Sequence, residues 1–70
     1  MDTIPIRGDM IRLGQLLKLA GIAEDGAHAK DILYEGVVRV NGEREDRRGR
    51  QIHPGDEINV DGQKFTVSGS

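Results

Sequence analysis

The dipeptide Asn41-Gly42 constrains this chain more than any other feature. It follows the β-prone run Val37–Val40 and precedes a second polar run that begins at Glu43. A two-residue link of this kind selects a type I′ turn, because both central residues must adopt positive φ. The segment Gly36–Arg50 therefore reads as strand, tight turn and strand, running into Arg47-Arg48-Gly49-Arg50. A second signal of the same type, Asp61-Gly62, separates Glu57–Val60 from Lys64–Val67. Between the two hairpins, His53-Pro54-Gly55-Asp56 reads as a turn, since proline fixes φ and glycine accepts a positive one. Thr3–Ile6 adds a strand that Pro5 confines to a sheet edge.

The residues before this β half have helical spacing. Leu13, Leu16, Leu17 and Ala20 fall at i, i+3, i+4 and i+7, one apolar stripe. Asp9 is expected to cap that helix, and Gly21 to end it in the left-handed region, with Ile22 folding back on Leu17. A second helix repeats the pattern: Asp25 is the cap, Ala29, Ile32 and Leu33 the buried face, and Gly36 the stop. Gly14 costs about 1 kcal/mol relative to alanine in a helix, which suits a close backbone approach. The fold class that follows is α+β, with two short helices packed on a small antiparallel sheet. Tyr34 and Phe65, the only aromatics, are expected to be buried or half-buried.

Size and composition exclude much. Seventy residues suffice for one domain, 1–70, burying about 60% of its unfolded surface. The absence of cysteine removes disulfides and thiolate chemistry. His28 and His53 lack metal-ligand spacing. No run approaches the roughly 20 apolar residues of a membrane span, and the first ten residues lack a signal-peptide core. The expectation is a soluble, monomeric, cytoplasmic protein without metal or cofactor. No catalytic constellation appears either: there is no P-loop and no nucleophile–base pair, so no enzyme activity is expected.

Charge is distributed unevenly. From Arg39 to Arg50 five arginines meet three acids, a local +2, whereas the remainder holds five cations and nine acids, or −4. A basic element on an acidic body favours an oriented contact over indiscriminate polyanion binding. Arg47, Arg48 and Arg50 offer guanidinium forks suited to phosphate, and Arg44 lies beside them. Pairing of these arginines with Glu43, Glu45 and Asp46 in a solvated turn is the plainer reading. Arg39, between Val38 and Val40, is explained by a solvent-facing strand position. Arg12 and His28 sit in first turns of helices, where a cation is disfavoured by the helix dipole unless an anion is bound. His28 has a plainer role as a cap. The scarcity of aromatic rings argues against reading of single strands and for a folded polyanion held by its backbone.

The ordered set Arg12-Leu13…Leu16-Leu17-Lys18…Gly21, Ala29-Lys30…Ile32…Glu35-Gly36-Val37-Val38…Val40-Asn41-Gly42 and Pro54-Gly55-Asp56…Ile58 resembles the RNA-binding domain of ribosomal protein S-four. It is most similar to the short stand-alone bacterial proteins of that type, and the likeness spans about residues 4–67. The resemblance implies an αL motif, two helices and a hairpin forming one face for ribosomal or transfer RNA. It adds Lys18 and Lys30 to the expected contacts. The expected set is thus Arg12, Lys18, His28, Lys30, Arg44, Arg47, Arg48 and Arg50. The chain departs from larger members at Glu24-Asp25 before the second helix and at Gly14, where an aspartate is common. The alternative from another class is an adaptor or regulatory subunit that docks an acidic partner through the hairpin arginines.

Overall fold

Strand-forming residues at both ends of the chain enclose a helical hairpin, as the computed structural model shows for residues 2–69. The order is β1 (Asp2–Pro5), β2 (Ile11–Arg12), α1 (Leu13–Leu19), α2 (Gly26–Tyr34), β3 (Val38–Val40), β4 (Glu43–Arg44), β5 (Gln51–Ile52), β6 (Glu57–Val60) and β7 (Gln63–Ser68). The main sheet runs β1-β7-β6-β3-β4, and β2 pairs with β5 in a separate two-stranded ladder. All pairs are antiparallel except β1 with β7, which places Asp2 opposite Phe65. The fold is α+β, as the sequence pattern requires.

Both predicted type I′ turns form. Asn41 and Gly42 have φ of 52° and 86°, and Asp61 and Gly62 have 51° and 89°. Strand alternation then sorts the residues: Val38, Val40, Ile58, Val60, Phe65 and Val67 turn inward, and Arg39 and Lys64 remain exposed. The helices cover that inner face with Leu13, Leu16, Leu17, Ala29 and Leu33, each at most 1% exposed. At seven and nine residues, these helices are too short to persist alone. Packing holds them, and truncating Leu16 to alanine would cost about 3 kcal/mol.

Helix ends follow local rules with one exception. Gly21 N–H donates to Lys18 O and Ile22 N–H to Leu17 O, both at 3.0 Å, the two bonds of a Schellman motif. Asp25 caps α2 by accepting from His28 N–H at 2.8 Å. Asp9, however, does not cap α1. That helix starts three residues later than the aspartate predicts, with extended Arg12 as its N-cap and no side-chain cap at all. Pairing of Ile11–Arg12 with Gln51–Ile52 extends the chain up to Arg12 and brings the arginine loop to the helix start. Leu13 N–H then donates to Arg50 O at 2.8 Å and Gly14 N–H to Arg48 O at 2.9 Å. Backbone carbonyls do the work expected of a carboxylate.

The expectation for Phe65 holds, at 3% exposure, but that for Tyr34 does not: Tyr34 is 86% exposed. It directly follows the buried Leu33, and one helical step of about 100° carries it off the buried stripe.

Candidate functional site

Glu45 organises the arginine loop. Its N–H still donates to Val38 O at 3.0 Å, so the β3–β4 register continues one pair beyond β4. Opposite an inward-facing valine, Glu45 also points inward and is only 5% exposed. A buried carboxylate requires partners. Glu45 Oε2 accepts from the backbone N–H and the Nε of Arg47, each at 3.0 Å. Its Oε1 accepts from Arg47 Nη2 at 3.0 Å and Arg50 Nη1 at 2.7 Å. The Arg47 side-chain bond lowers the Glu45 pKa most; burial opposes it, and the Arg50 bond and Arg47 N–H add to the lowering. The net result is about 2, well below the usual carboxylate value. The same bond raises the Arg47 pKa.

Once stapled, the loop presents Arg48 on its other side. Arg48 crosses the start of α1 so closely that a Cβ on Gly14 would collide with its Cγ and lie 3.1 Å from its Cδ. Its Nη1 reaches to 3.8 Å from the Cβ position of Gly26, at the start of α2. Gly14 is thus the close approach that its unfavourable helix propensity suggests. Arg12 Nη1 donates to Gly49 O at 3.0 Å, bracing the loop from the opposite side. Arg12, Gly14, Gln15, Lys18, Gly26, Arg48 and Gly49 line an open groove of about 400 Å³. Three cations line it and no acid does. Both helix starts are already capped, so the groove's positive character comes from side chains.

A second groove, lined by Lys30, Tyr34, Arg44 and Asp46, lies farther along α2. Gly26, Lys30 and Tyr34 are spaced i, i+4 and i+8, so Gly26 of the first groove and Lys30 and Tyr34 of the second lie along one side of the helix. Arg44 reaches this stripe by lying on Gly36, where a Cβ would sit 2.8 Å from the guanidinium carbon. No ion pair engages Arg12, Lys18, Lys30, Arg44 or Arg48 among the described residues.

The eight expected contact residues therefore divide. Arg12, Lys18 and Arg48 converge on one groove, and Lys30 and Arg44 on the second. Arg47 and Arg50 are engaged by Glu45, although the Arg47 side chain remains 71% exposed. His28 is off the stripe; its Nδ1 accepts from Glu24 N–H at 3.0 Å, completing a reciprocal cap with Asp25. The predicted turn 53–56 is held by Asp56. Burial tends to raise this carboxyl's pKa, but bonds from His53 N–H and Asn41 Nδ2 outweigh it and leave the pKa lowered. Among the described residues, no group of three or more His, Asp or Glu side chains is placed to hold a metal. No described helix is long and apolar enough to cross a membrane.

Known proteins are similar to this chain in sequence. Residues 4–68 match the family model described as the S4 domain. The chain is 46% identical over 61 residues to the "Probable ribosome maturation protein RlbA" of Bacillus subtilis (strain 168), covering 87% of this chain and 86% of the relative. It is 39% identical over 57 residues to the "Putative RNA-binding protein YbcJ" of Escherichia coli (strain K12), covering 81% of each.

Proposed function

The chain belongs to the S4 domain family, and on that premise we propose that it is a non-catalytic module that binds the backbone of folded ribosomal or transfer RNA. The observation that carries this reading is the acid-free groove on which Arg12, Lys18 and Arg48 converge. Three cations from α1 and the 47–50 loop, with no carboxylate among them, suit consecutive phosphates. A second groove on the same side of α2 carries Lys30 and Arg44, so the cations are spread over more than a single anion would need. The acidic remainder of the chain disfavours binding in other orientations.

The name of one relative associates it with ribosome maturation and that of the other with RNA binding. These names support a ribosome- or translation-associated role for this chain. We further propose that it acts in the cytoplasm, as a monomer whose single RNA-binding domain spans 1–70. The adaptor reading draws on the same hairpin arginines, of which Arg47 and Arg50 hold Glu45 while Arg44 and Arg48 carry no ion pair among the described residues; tighter binding to an acidic protein than to RNA would favour it.

The test is equilibrium binding to ribosomal RNA fragments over a salt series. The native protein should show a log–log salt slope, and joint replacement of Arg12, Lys18 and Arg48 by alanine should lower that slope by about 3. An unchanged slope in the triple variant refutes the groove as the phosphate site.

A further inference from the structure

Tyr34 is a large aromatic side chain left 86% exposed in a protein with one tyrosine, one phenylalanine and no tryptophan. It also shares its groove with two cations, Lys30 and Arg44, and one acid, Asp46. We propose that the Tyr34 ring is a stacking platform for one unpaired RNA base, located where the cationic stripe of α2 ends. This proposal rests on the RNA-binding reading above and specifies the kind of RNA taken: a folded RNA with a bulged or looped-out nucleotide beside its helix.

Three features point to a base in this groove. The first is position. Tyr34 continues the Gly26–Lys30 stripe, so a strand whose phosphates meet Arg48 and Lys30 arrives at the ring with its next nucleotides. The second is the flanking charge. Lys30 and Arg44 have no acid partner among the described residues and can hold the phosphates on either side of an extruded base. Gly36 leaves the room that Arg44 occupies, since a Cβ there would sit 2.8 Å from the guanidinium. The third is Asp46. A carboxylate repels phosphate but accepts hydrogen bonds from the exocyclic amino group of adenine, guanine or cytosine. The acid-free groove at Arg48 and the mixed groove at Tyr34 therefore suit different parts of a nucleotide.

The protein carries its own probe. With no tryptophan, its near-ultraviolet emission comes from Tyr34, and stacking on a base quenches tyrosine emission. The experiment uses a short RNA duplex with one bulged adenosine and the same duplex fully paired. The bulged RNA should quench Tyr34 emission, and the paired RNA should leave most of it. Tyr34→Ala should weaken binding to the bulged RNA on the order of 10-fold while leaving the salt slope and the paired-RNA affinity unchanged. Tyr34→Phe should bind like the native protein. Equal quenching by the two RNAs, with Tyr34→Ala binding both as the native chain does, overturns the stacking site and leaves the phosphate groove standing. Failure of both RNAs to bind the native protein in a salt-dependent way overturns both readings.

Discussion

Arg47 and Arg50 differ from Arg48 in everything but residue type. They occupy one four-residue run, yet two turn toward a buried carboxylate and the third lies across two helix starts. The difference shows that an arginine cluster has no single role: whether each guanidinium is structural or available depends on where the nearest acid points. Glu45 is the deciding residue. By holding Arg47 and Arg50 it fixes the loop whose carbonyls cap α1 and whose Arg48 enters the groove.

The largest expected effect comes from removing the inward pair. Replacing both Arg47 and Arg50 by alanine leaves the Glu45 carboxylate, with its side chain 6% exposed, without side-chain partners. The cost should be about 3 kcal/mol, lowering Tm by roughly 15 °C in a domain of this size. Adding Glu45→Gln should restore part of the loss. A thermal melt that does not move would show that the clamp is only a solvated pair.

Acid offers a smaller, graded version of the same perturbation. The folded-state pKa of Glu45 is lowered from 4.5 to about 2, so its stabilisation is fully present above pH 4.5 and is lost as pH falls toward 2. Asp56, also lowered, acts in the same direction. Denaturant melts between pH 6 and pH 2 should show stability falling below about pH 4.5, and Glu45→Gln should flatten that fall. A pH profile unchanged by Glu45→Gln would separate the acid sensitivity from the clamp.

The outward arginine should show the smallest change in stability. Arg48→Ala should leave Tm within about 1 °C, since no ion pair is lost, while reducing RNA affinity roughly 5-fold and the salt slope by about 1. Gly14→Ala sharpens this contrast: alanine favours the helix by about 1 kcal/mol, but its Cβ displaces Arg48. Affinity should drop, and the propensity gain should not appear as stability, because the clash falls on the Arg48 Cγ beside the loop backbone that caps α1. If Gly14→Ala binds RNA as the native chain does, Arg48 is not the contact.

Local rules made most of this fold legible. Asn41-Gly42, Asp61-Gly62, Gly21 and Asp25 each dictate a turn or cap within a few residues, and all four form. The inward turn of Glu45 was also legible in principle. A two-residue turn at 41–42 pairs Val40 with Glu43 and Val38 with residue 45, so counting the register places Glu45 on the valine face. The exposure of Tyr34 follows similarly from its helical step away from Leu33. What sequence could not supply were the non-local pairings, β1 with β7 and β2 with β5. The second of these moves the start of α1 away from Asp9 and makes the arginine loop its cap. The convergence of Arg12, Lys18 and Arg48 depends on that pairing, which is why the groove could not be assembled from spacing alone.

The parallel β1–β7 pair has a kinetic consequence. Thr3 meets Thr66 across 63 positions of chain, whereas both helices, their link and the β3–β4 hairpin close over short spans. Closing the longest loop carries the largest entropic cost, so β1 should dock last in folding and undock first in native fluctuations. Amide exchange should therefore reach Ile6, whose N–H donates to Ser68 O, before it reaches the β3–β6 ladder. Neither groove includes a residue of β1, so the protein can open at this edge while the surface formed by α1, α2 and the arginine loop keeps its shape.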